Sequence, residues 1–248
     1  GQVVTVADLT VGNLVFTPAA NATGTGYASL TFSVRDSSNA YDAAPNTLTV
    51  DVTAQNDAPT DLALSANTVA ENAVNGTVVG TVSGTDPDTG DTKTYSLTDT
   101  AGGRFAINSS TGALTVANGS LLNYESATSH TVTVRVTDSG GLTYDETLTI
   151  NLTNVNEAPT GADATITLTE DTVHTLTTAD FGFSDVDAGD SLSAVRIDTL
   201  PGAGSLTLSG VGVTAGQVVT AADITAGLLV FTPAANATGM GYATVTFS

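Results

Sequence analysis

Two Asp-x-Asp strings, Asp86-Pro87-Asp88 and Asp185-Val186-Asp187, are the residues of this sequence best suited to chemistry. In an extended segment the two acidic side chains of such a string point the same way. Carboxylates this close repel each other unless a cation lies between them, and Ca²⁺ accepts about 6–8 oxygen ligands. Because the chain has no Cys and two His, softer metals would find few ligands. The strings therefore predict calcium binding.

Two short linkers precede these strings. They read Asn-Asp-Ala-Pro-Thr at 56–60 and Asn-Glu-Ala-Pro-Thr at 156–160, near copies that lie 100 residues apart. Each linker follows an alternating, strand-like run, and its Pro ends sheet pairing and keeps the preceding residue extended. The linkers predict three domains: the C-terminal part of a β domain at 1–57, a complete domain at 58–157, and the N-terminal part of another at 158–248.

A polar turn is the ordinary explanation of a single Asp-x-Asp string, because Asp, Pro and Gly are common turn residues. Both strings, however, lie about 28 residues after their linkers, and this repetition favours calcium. Neither string starts an EF-hand loop, because the twelfth position, which should be Glu, is Leu97 in one case and Arg196 in the other. Asp91 and Asp190, three residues after each string, are interpreted as turn residues.

Residues 1–33 and 216–248 are copies of one sequence. At an offset of 215, 26 of the 33 aligned positions are identical. The chain is therefore expected to begin and end inside copies of the same domain type. Residues 34–57 would then supply the final strands of the domain that starts at 158, either from the next copy in the chain or from a neighbouring molecule.

The middle domain shows seven short strand-like stretches separated by turn residues. Val132, Val134 and Val136 alternate with polar residues in one of them, which is the period of a half-buried strand. The stretches lie around 62–70, 77–85, 92–98, 104–108, 112–117, 130–137 and 143–154. No segment of helical period competes. The sequence therefore predicts an all-β chain of tandem Greek-key β-sandwich domains joined end to end.

The charge excludes several functions. With 25 acidic and 5 basic residues the formal net charge is −20, so the chain cannot neutralise nucleic-acid phosphates and is repelled by anionic membranes. It has no apolar run long enough for membrane insertion. A surface adapted to high salt would also be acidic, but it predicts acids scattered over exposed faces rather than clustered near linkers.

Catalysis is not expected, so the chain is predicted not to be an enzyme. His130 and His174 lie 44 residues apart, and neither neighbours a Ser in a nucleophile elbow. Paired acids could hydrolyse glycosides, but such clefts need aromatic platforms, and the chain has no Trp and 5% aromatic residues.

Six motifs follow one another along residues 58–160. They are Val-Ala-Glu-Asn at 69–72, Thr-Asp-Pro-Asp at 85–88, Gly-Arg-Phe-Ala-Ile at 103–107, Leu-Asn-Tyr-Glu at 122–125, Val-Arg-Val-Thr-Asp at 134–138 and Asn-Val-Asn-Glu-Ala-Pro at 154–159. In this order they resemble the cadherin repeats of very long bacterial surface proteins and adhesins. The flanking partial domains are similar to the cadherin-like or VCBS-type domains that alternate with such repeats, through Phe-Thr-Pro-Ala at 16–19 and 231–234.

The resemblance implies Ca²⁺ at the junctions between consecutive domains. At the first junction it implies the ligands Asn56, Asp57, Asp86, Asp88 and Asp138. At the second it implies Glu71, Asn123, Glu125, Asn154, Asn156, Glu157, Asp185 and Asp187. Ala54, Asn123 and Asn154 stand where the family usually has an acid. We therefore expect one or two ions per junction, with dissociation constants on the order of 10⁻⁴–10⁻³ M.

The resemblance also implies a function. The chain would be a calcium-rigidified rod segment of a large bacterial surface or secreted adhesin, or of an extracellular fibre. Its partners would be neighbouring copies of the same repeat, through self-association into fibres or homophilic adhesion. The alternative is a ligand-binding module for carbohydrate or protein, which should group surface aromatics on one face, whereas Tyr41, Tyr95, Tyr124 and Tyr144 are scattered along the sequence.

Overall fold

The structure, a computed structural model, describes residues 1–248. The chain forms two compact units. Unit 1 comprises residues 1–123 and 127–153, and unit 2 comprises residues 124–126 and 154–248. Nearly all regular structure is β, which confirms the predicted fold class.

Unit 1 contains ten strands, one short α-helix and one 3₁₀ turn. The helix α1 spans Val6–Thr10, and the 3₁₀ turn spans Gly119–Leu121. The strands are β1 (Gly24–Phe32), β2 (Asn46–Val52), β3 (Asp61–Leu64), β4 (Thr68–Ala70), β5 (Val78–Thr85), β6 (Thr94–Asp99), β7 (Phe105–Ile107), β8 (Ala113–Val116), β9 (Ser129–Thr137) and β10 (Thr143–Thr153).

The middle part of the chain is a sandwich of two four-stranded sheets. One sheet has the order β4-β10-β9-β6 and the other β3-β5-β8-β7. The two sheets face each other, since Phe105 on β7 lies 6.5 Å from His130 on β9 between ring centroids. The inward side chains form the core, as the alternation of Val132, Val134 and Val136 predicts, because all three are fully buried.

The seven predicted strand stretches are confirmed, with one refinement. The first stretch, predicted around 62–70, is split into β3 and β4, which belong to different sheets. β3 pairs antiparallel with β5, whereas β4 pairs parallel with β10. The chain therefore crosses from one sheet to the other within a few residues, at one edge of the sandwich.

Residues 1–57 contain less regular structure than the middle of the chain. β1 and β2 form a two-stranded antiparallel ribbon, and no residue of 1–57 is buried. A ribbon of two strands is marginally stable by itself because it has no second layer against which to bury its apolar face.

Unit 2 contains seven short strands, one α-helix and one 3₁₀ helix. They are β11 (His174–Thr175), the 3₁₀ helix (Thr178–Phe181), β12 (Ala194–Thr199), β13 (Ser205–Leu208), β14 (Val211–Gly212), β15 (Gln217–Thr220), α2 (Ala221–Thr225), β16 (Leu229–Thr232) and β17 (Thr246–Phe247). The strands form two sheets, ordered β11-β16-β13-β14 and β15-β12-β17.

The core of unit 2 lies between these sheets. Its buried residues are Phe181, Val195, Ile197, Leu206, Val213, Val219, Ile224 and Leu229. Phe247 on β17 packs edge-on against Phe181, with ring centroids 4.9 Å apart. The last residues of the chain therefore contribute to this core.

Two five-residue helices lie within this otherwise β structure, outside the middle domain. Thr5 and Thr220 cap them, and each Thr side chain accepts a hydrogen bond from the backbone N–H of the Asp three residues later. This Thr-x-x-Asp pattern is the local signal of the helix start, because a capped N–H would otherwise have no partner.

Neither helix has the length and apolar character that crossing a membrane would require.

Candidate metal centre

Three carboxylates of unit 1 form a group that we call the first acidic cluster. Asp86 and Asp91 lie in the loop between β5 and β6, and Asp138 directly follows β9. One carboxylate oxygen of each lies within 4.8 Å of the others. The sandwich brings these residues together because β6 and β9 are neighbours in one sheet.

Hydrogen bonds hold two of these carboxylates in place. Oδ1 of Asp86 accepts from the backbone N–H of Asp88 (2.9 Å), while its Oδ2 is buried without a hydrogen-bond partner. Asp138 accepts from the backbone N–H of Leu142 (2.7 Å) and from Nδ2 of Asn56 (2.8 Å). A buried carboxylate oxygen without a partner is costly, and a bound cation would satisfy Oδ2 of Asp86.

The first linker is attached at two points, one in this cluster and one at Asp88 beside it. The side chain of Asn56 donates to Asp138, as described, and the backbone N–H of Asp57 donates to Oδ2 of Asp88 (2.7 Å). The structure thus brings together the five residues that the sequence assigns to the first junction.

Asp91, which the sequence analysis interprets as a turn residue, belongs to the same cluster. Its Oδ2 accepts from the backbone N–H of Ser139 (3.2 Å) and its Oδ1 from that of Thr92 (2.8 Å). Hydrogen bonding from Ser139 lowers the pKa of Asp91, with a further contribution from the charge of Lys93. The signal that could have identified it is its spacing, since Asp190 stands at the same distance from the second string.

Three carboxylates of unit 2 form the second acidic cluster, Asp185, Asp187 and Asp190, again with oxygens within 4.8 Å of one another. The backbone N–H of Asp187 donates to Oδ1 of Asp185 (2.9 Å). Asp187 is 6% exposed, and its carboxylate accepts from Nδ2 of Asn154 (2.7 Å) and from the backbone N–H of Glu157 (2.8 Å). The backbone bond from Glu157 to Asp187 thus repeats the bond from Asp57 to Asp88, whereas the amide contact comes from Asn154 rather than from Asn156, the equivalent of Asn56.

The remaining predicted ligands lie as follows. Glu125 is exposed, and a carboxylate oxygen of Glu125 lies within 4.8 Å of one of Glu157 in unit 2. Nδ2 of Asn156 donates to the backbone carbonyl of Glu157 (2.6 Å). Glu71 is buried in unit 1, where its backbone N–H donates to the carbonyl of Thr153 (3.1 Å).

The donor set of both clusters suits a hard divalent cation. Every candidate ligand is a carboxylate or amide oxygen, which Ca²⁺ prefers. Like charges this close repel one another, so three ionised carboxylates at this spacing destabilise one another. A cation bound among them would remove this repulsion.

The sequence comparisons with known proteins concern the middle of the chain. Residues 66–153 match the family model of the cadherin domain. This segment is similar to a cadherin domain, and we call it the cadherin-like domain. It is 39% identical over 94 residues to human cadherin-related family member 2, and 38% identical over 89 residues to the Drosophila melanogaster protocadherin-like wing polarity protein stan. Each match covers 36% of this chain, which spans 7% and 2% of these two relatives.

A solved structure agrees on the fold. The structure of the protocadherin gammaB7 EC3-6 cis-dimer aligns with 78% of this chain and 49% of its own, with a TM-score of 0.50 and 21% sequence identity. At this identity the likeness shows the fold alone.

Proposed function

We propose that the chain is a calcium-stiffened segment of a long extracellular rod, in a large adhesion protein of the bacterial surface type. One observation carries the proposal: each linker donates a backbone N–H to the second Asp of the string that follows it, Asp57 to Asp88 and Glu157 to Asp187. Because each linker is hydrogen-bonded to the acidic loop of its own domain, the conformational freedom of the linker depends on the conformation of that loop.

The first set of ligands would be Asn56, Asp57, Asp86, Asp88 and Asp138, joined by Asp91. The second would be Glu71, Glu125, Asn156, Glu157, Asp185 and Asp187, joined by Asp190. Bound Ca²⁺ would supply the positive charge that these crowded carboxylates lack. The part played by Glu71, which the family resemblance assigns to the second set, stays a prediction.

Stiffening would depend on two opposing effects: the repulsion among the carboxylates of each acidic loop and the hydrogen bonds that attach the linker to that loop. With the carboxylates ionised and no cation among them, repulsion within each acidic loop would oppose the attachment of the linkers to Asp88 and Asp187. With the charge neutralised, both loops close around the linkers and restrict the angle between consecutive domains. The cadherin-like match at 66–153 supports this reading because it covers the domain that follows the first linker.

Calcium titration by calorimetry tests the proposal. We expect the chain to bind Ca²⁺ with dissociation constants on the order of 10⁻⁴–10⁻³ M. Asp86→Asn should remove the binding at the first cluster and Asp185→Asn that at the second, because each replaces a charged ligand. Asp61→Asn is the matched control, since Asp61 is exposed and lies outside both clusters.

Small-angle scattering measures the consequence. The maximum dimension should increase and become better defined between chelator and millimolar Ca²⁺, and Asp86→Asn should reduce this change. If calorimetry shows binding but the scattering curves are identical, the ions are bound without stiffening the chain. If calorimetry shows no binding, the calcium site itself is wrong.

A further inference from the structure

The two acidic clusters share one sequence pattern but differ in the residue that follows it. Residues 86–91 and 185–190 both carry Asp at the first, third and sixth positions. Two residues after the last Asp, the first segment is followed by Lys93 and the second by Leu192. Lys93 is the single lysine of the chain. Two loops with equal acidic residues therefore differ by one positive charge.

The ammonium group of Lys93 lies beside the first acidic cluster. Its Nζ donates to the backbone carbonyl of Asp91 (3.3 Å). The ladder between β6 and β9 has Thr94 opposite Thr137 at its end. Lys93 and the cluster residue Asp138 are therefore the next residues of the two strands beyond that pair.

Packing against β5 holds the stem of Lys93 in this place. The residue is half-buried, and its Cδ lies 3.3 Å from the position that a Cβ on Gly84 would take. A lysine can bury its aliphatic stem in this way while its charged end stays in water. The charge reaches the cluster, because it contributes to the lowered pKa of Asp91, after the hydrogen bond from Ser139.

The four arginines of the chain have partners outside both acidic clusters. The pairs are Arg135 with Asp145, Arg196 with Asp198, Arg35 with the ring of Tyr41, and Arg104 with the backbone carbonyls of Ala101 and Leu121. At the second cluster, Leu192 packs against the core of unit 2 and brings no charge. Lys93 is thus the basic residue that distinguishes the two clusters.

We propose that Lys93 sets the calcium affinity of the first acidic cluster, because its positive charge opposes the binding of a divalent cation there. This inference rests on the calcium binding proposed above. The ammonium supplies part of the positive charge that the crowded carboxylates lack, and it repels a second cation placed among the same groups. The second cluster has Leu192 at this position and is free of that repulsion.

The charge of Lys93 has a consequence for the linkers. It raises the calcium concentration at which the first cluster is filled, and therefore the concentration at which the first linker is restrained through Asp88. The second linker, which is attached to Asp187, does not depend on such a charge. Lys93 therefore contributes to separating the calcium responses of the two linkers.

Calorimetric titration of residues 1–248 with Ca²⁺ tests the proposal. The Asp185→Asn background removes binding at the second cluster, so the remaining signal reports on the first. Lys93→Met keeps an unbranched stem without the charge and should bind Ca²⁺ about three- to tenfold more tightly. Lys93→Arg keeps the charge and should stay within about twofold of the parent.

Arg35→Met is the control for net charge. It removes one positive charge from the chain, as Lys93→Met does. Arg35 follows Phe32, which pairs with Asn46 at one end of the β1–β2 ribbon, whereas the first linker follows Val52 at the other end. Its removal should leave the calcium affinity of the first cluster unchanged.

The reciprocal variant moves the charge to the second cluster. In the Asp86→Asn background, Leu192→Lys should weaken Ca²⁺ binding by about three- to tenfold. Leu192 is partly exposed, so a lysine at this position can reach solvent. Leu192→Gln is the matched control, because it has a polar side chain without a charge and should leave the affinity within about twofold.

Thermal denaturation in chelator gives a readout that requires no calcium. Lys93→Met should melt at a lower temperature than Lys93→Arg, because the carboxylates of the first cluster lose a neutralising charge. Saturating Ca²⁺ should shrink or reverse this difference, since the variant that binds more tightly gains more stability from the ion.

The outcomes separate this inference from the proposed function. Equal calcium affinities of Lys93→Met and its parent would overturn the role of Lys93 and leave calcium binding intact. An equal gain in affinity from Arg35→Met would also overturn it, and so would equal melting temperatures of Lys93→Met and Lys93→Arg in chelator. If neither the parent nor any variant binds Ca²⁺, the proposed function is wrong and this inference falls with it.

Discussion

The backbone N–H of Asp57 donates a 2.7 Å hydrogen bond to Oδ2 of Asp88. The same bond recurs 100 residues later, where Glu157 donates to Oδ2 of Asp187 at 2.8 Å. In both places the second Asp of an Asp-x-Asp string binds a linker, while the first Asp accepts from the backbone of the string itself. The acidic strings therefore have a structural role beside any role as ligands.

Asp187→Ala should destabilise unit 2 even in the absence of calcium. The carboxylate is buried, and its removal leaves the backbone N–H of Glu157 and the amide of Asn154 without their acceptor. We expect a loss of about 1–3 kcal/mol in the free energy of unfolding, measured by urea denaturation in chelator. Asp163→Ala is the control, because Asp163 is exposed and should change little. Equal effects of the two variants would contradict this role of Asp187.

The two copies of the duplicated sequence should respond differently to the same substitution. Leu229 and Leu14 occupy equivalent positions, but Leu229 is 0% exposed and Leu14 is 55% exposed. Leu229→Ala should lower the free energy of unfolding of unit 2 by about 2–5 kcal/mol, because it leaves a cavity. Leu14→Ala should cost far less. Hydrogen exchange measured at low protein concentration can follow both copies in one experiment, and a comparable loss of protection around Leu14 would show that residues 1–33 are packed.

Gly119→Ala should destabilise the cadherin-like domain. A Cβ at this position would overlap the backbone carbonyl oxygen of Ala73, and backbone atoms cannot move aside without shifting the chain. We expect a cost of about 1–3 kcal/mol, seen as a lower melting temperature of this domain. Gly212→Ala is the matched control, since a Cβ there meets nothing within 4 Å. A melting temperature unaffected by Gly119→Ala would contradict the close approach of Gly119 to the carbonyl oxygen of Ala73.

His130 should make the stability of the cadherin-like domain depend on pH. Burial lowers the pKa of His130 below its ordinary value of 6.5, and the nearby charge of Arg104 lowers it further. Because the folded state disfavours the charged imidazole, its contribution is fully present above pH 6.5 and is lost as the pH falls through 6.5 towards the lowered pKa. We expect denaturation in chelator between about pH 7.5 and 5.5 to show this loss.

His130→Gln is the control for this pH dependence. The substitution removes the titrating group, so the variant should be less sensitive to pH over the same window. Titration of the imidazole by NMR measures the pKa directly. A value above 6.5, or an equal pH dependence in the variant, would contradict the prediction.

Local features of this protein were predictable from its sequence. The alternation of Val132, Val134 and Val136 predicts their common burial, because side chains of a strand point alternately to its two faces. The Thr-x-x-Asp signals at Thr5 and Thr220 could have revealed the two short helices, since capping involves residues only three apart. The division into three domains and the assignment of calcium ligands at the junctions stay predictions.

The composition of the acidic clusters was less predictable. Asp91 and Asp190 stand in turn-like sequences, and a turn residue contributes to a cluster only when the loop brings its carboxylate towards the others. For Asp91 that geometry depends on Ser139, which lies 48 residues away in the sequence. Local spacing suggests such residues, but distant parts of the chain decide their contacts.

The sequence by itself determined the β-strands, the linkers and the paired acids, because these depend on neighbouring residues and on their period. Only the tertiary structure decided which of two equivalent apolar residues in the duplicated sequence is buried. Val4 and Val219 are equivalent positions of one duplicated sequence, yet Val219 is 0% exposed and Val4 is 39% exposed. The physical reason is that burial requires a partner surface, and residues distant in the sequence, among them Phe181 and Ile197, supply that surface to the second copy.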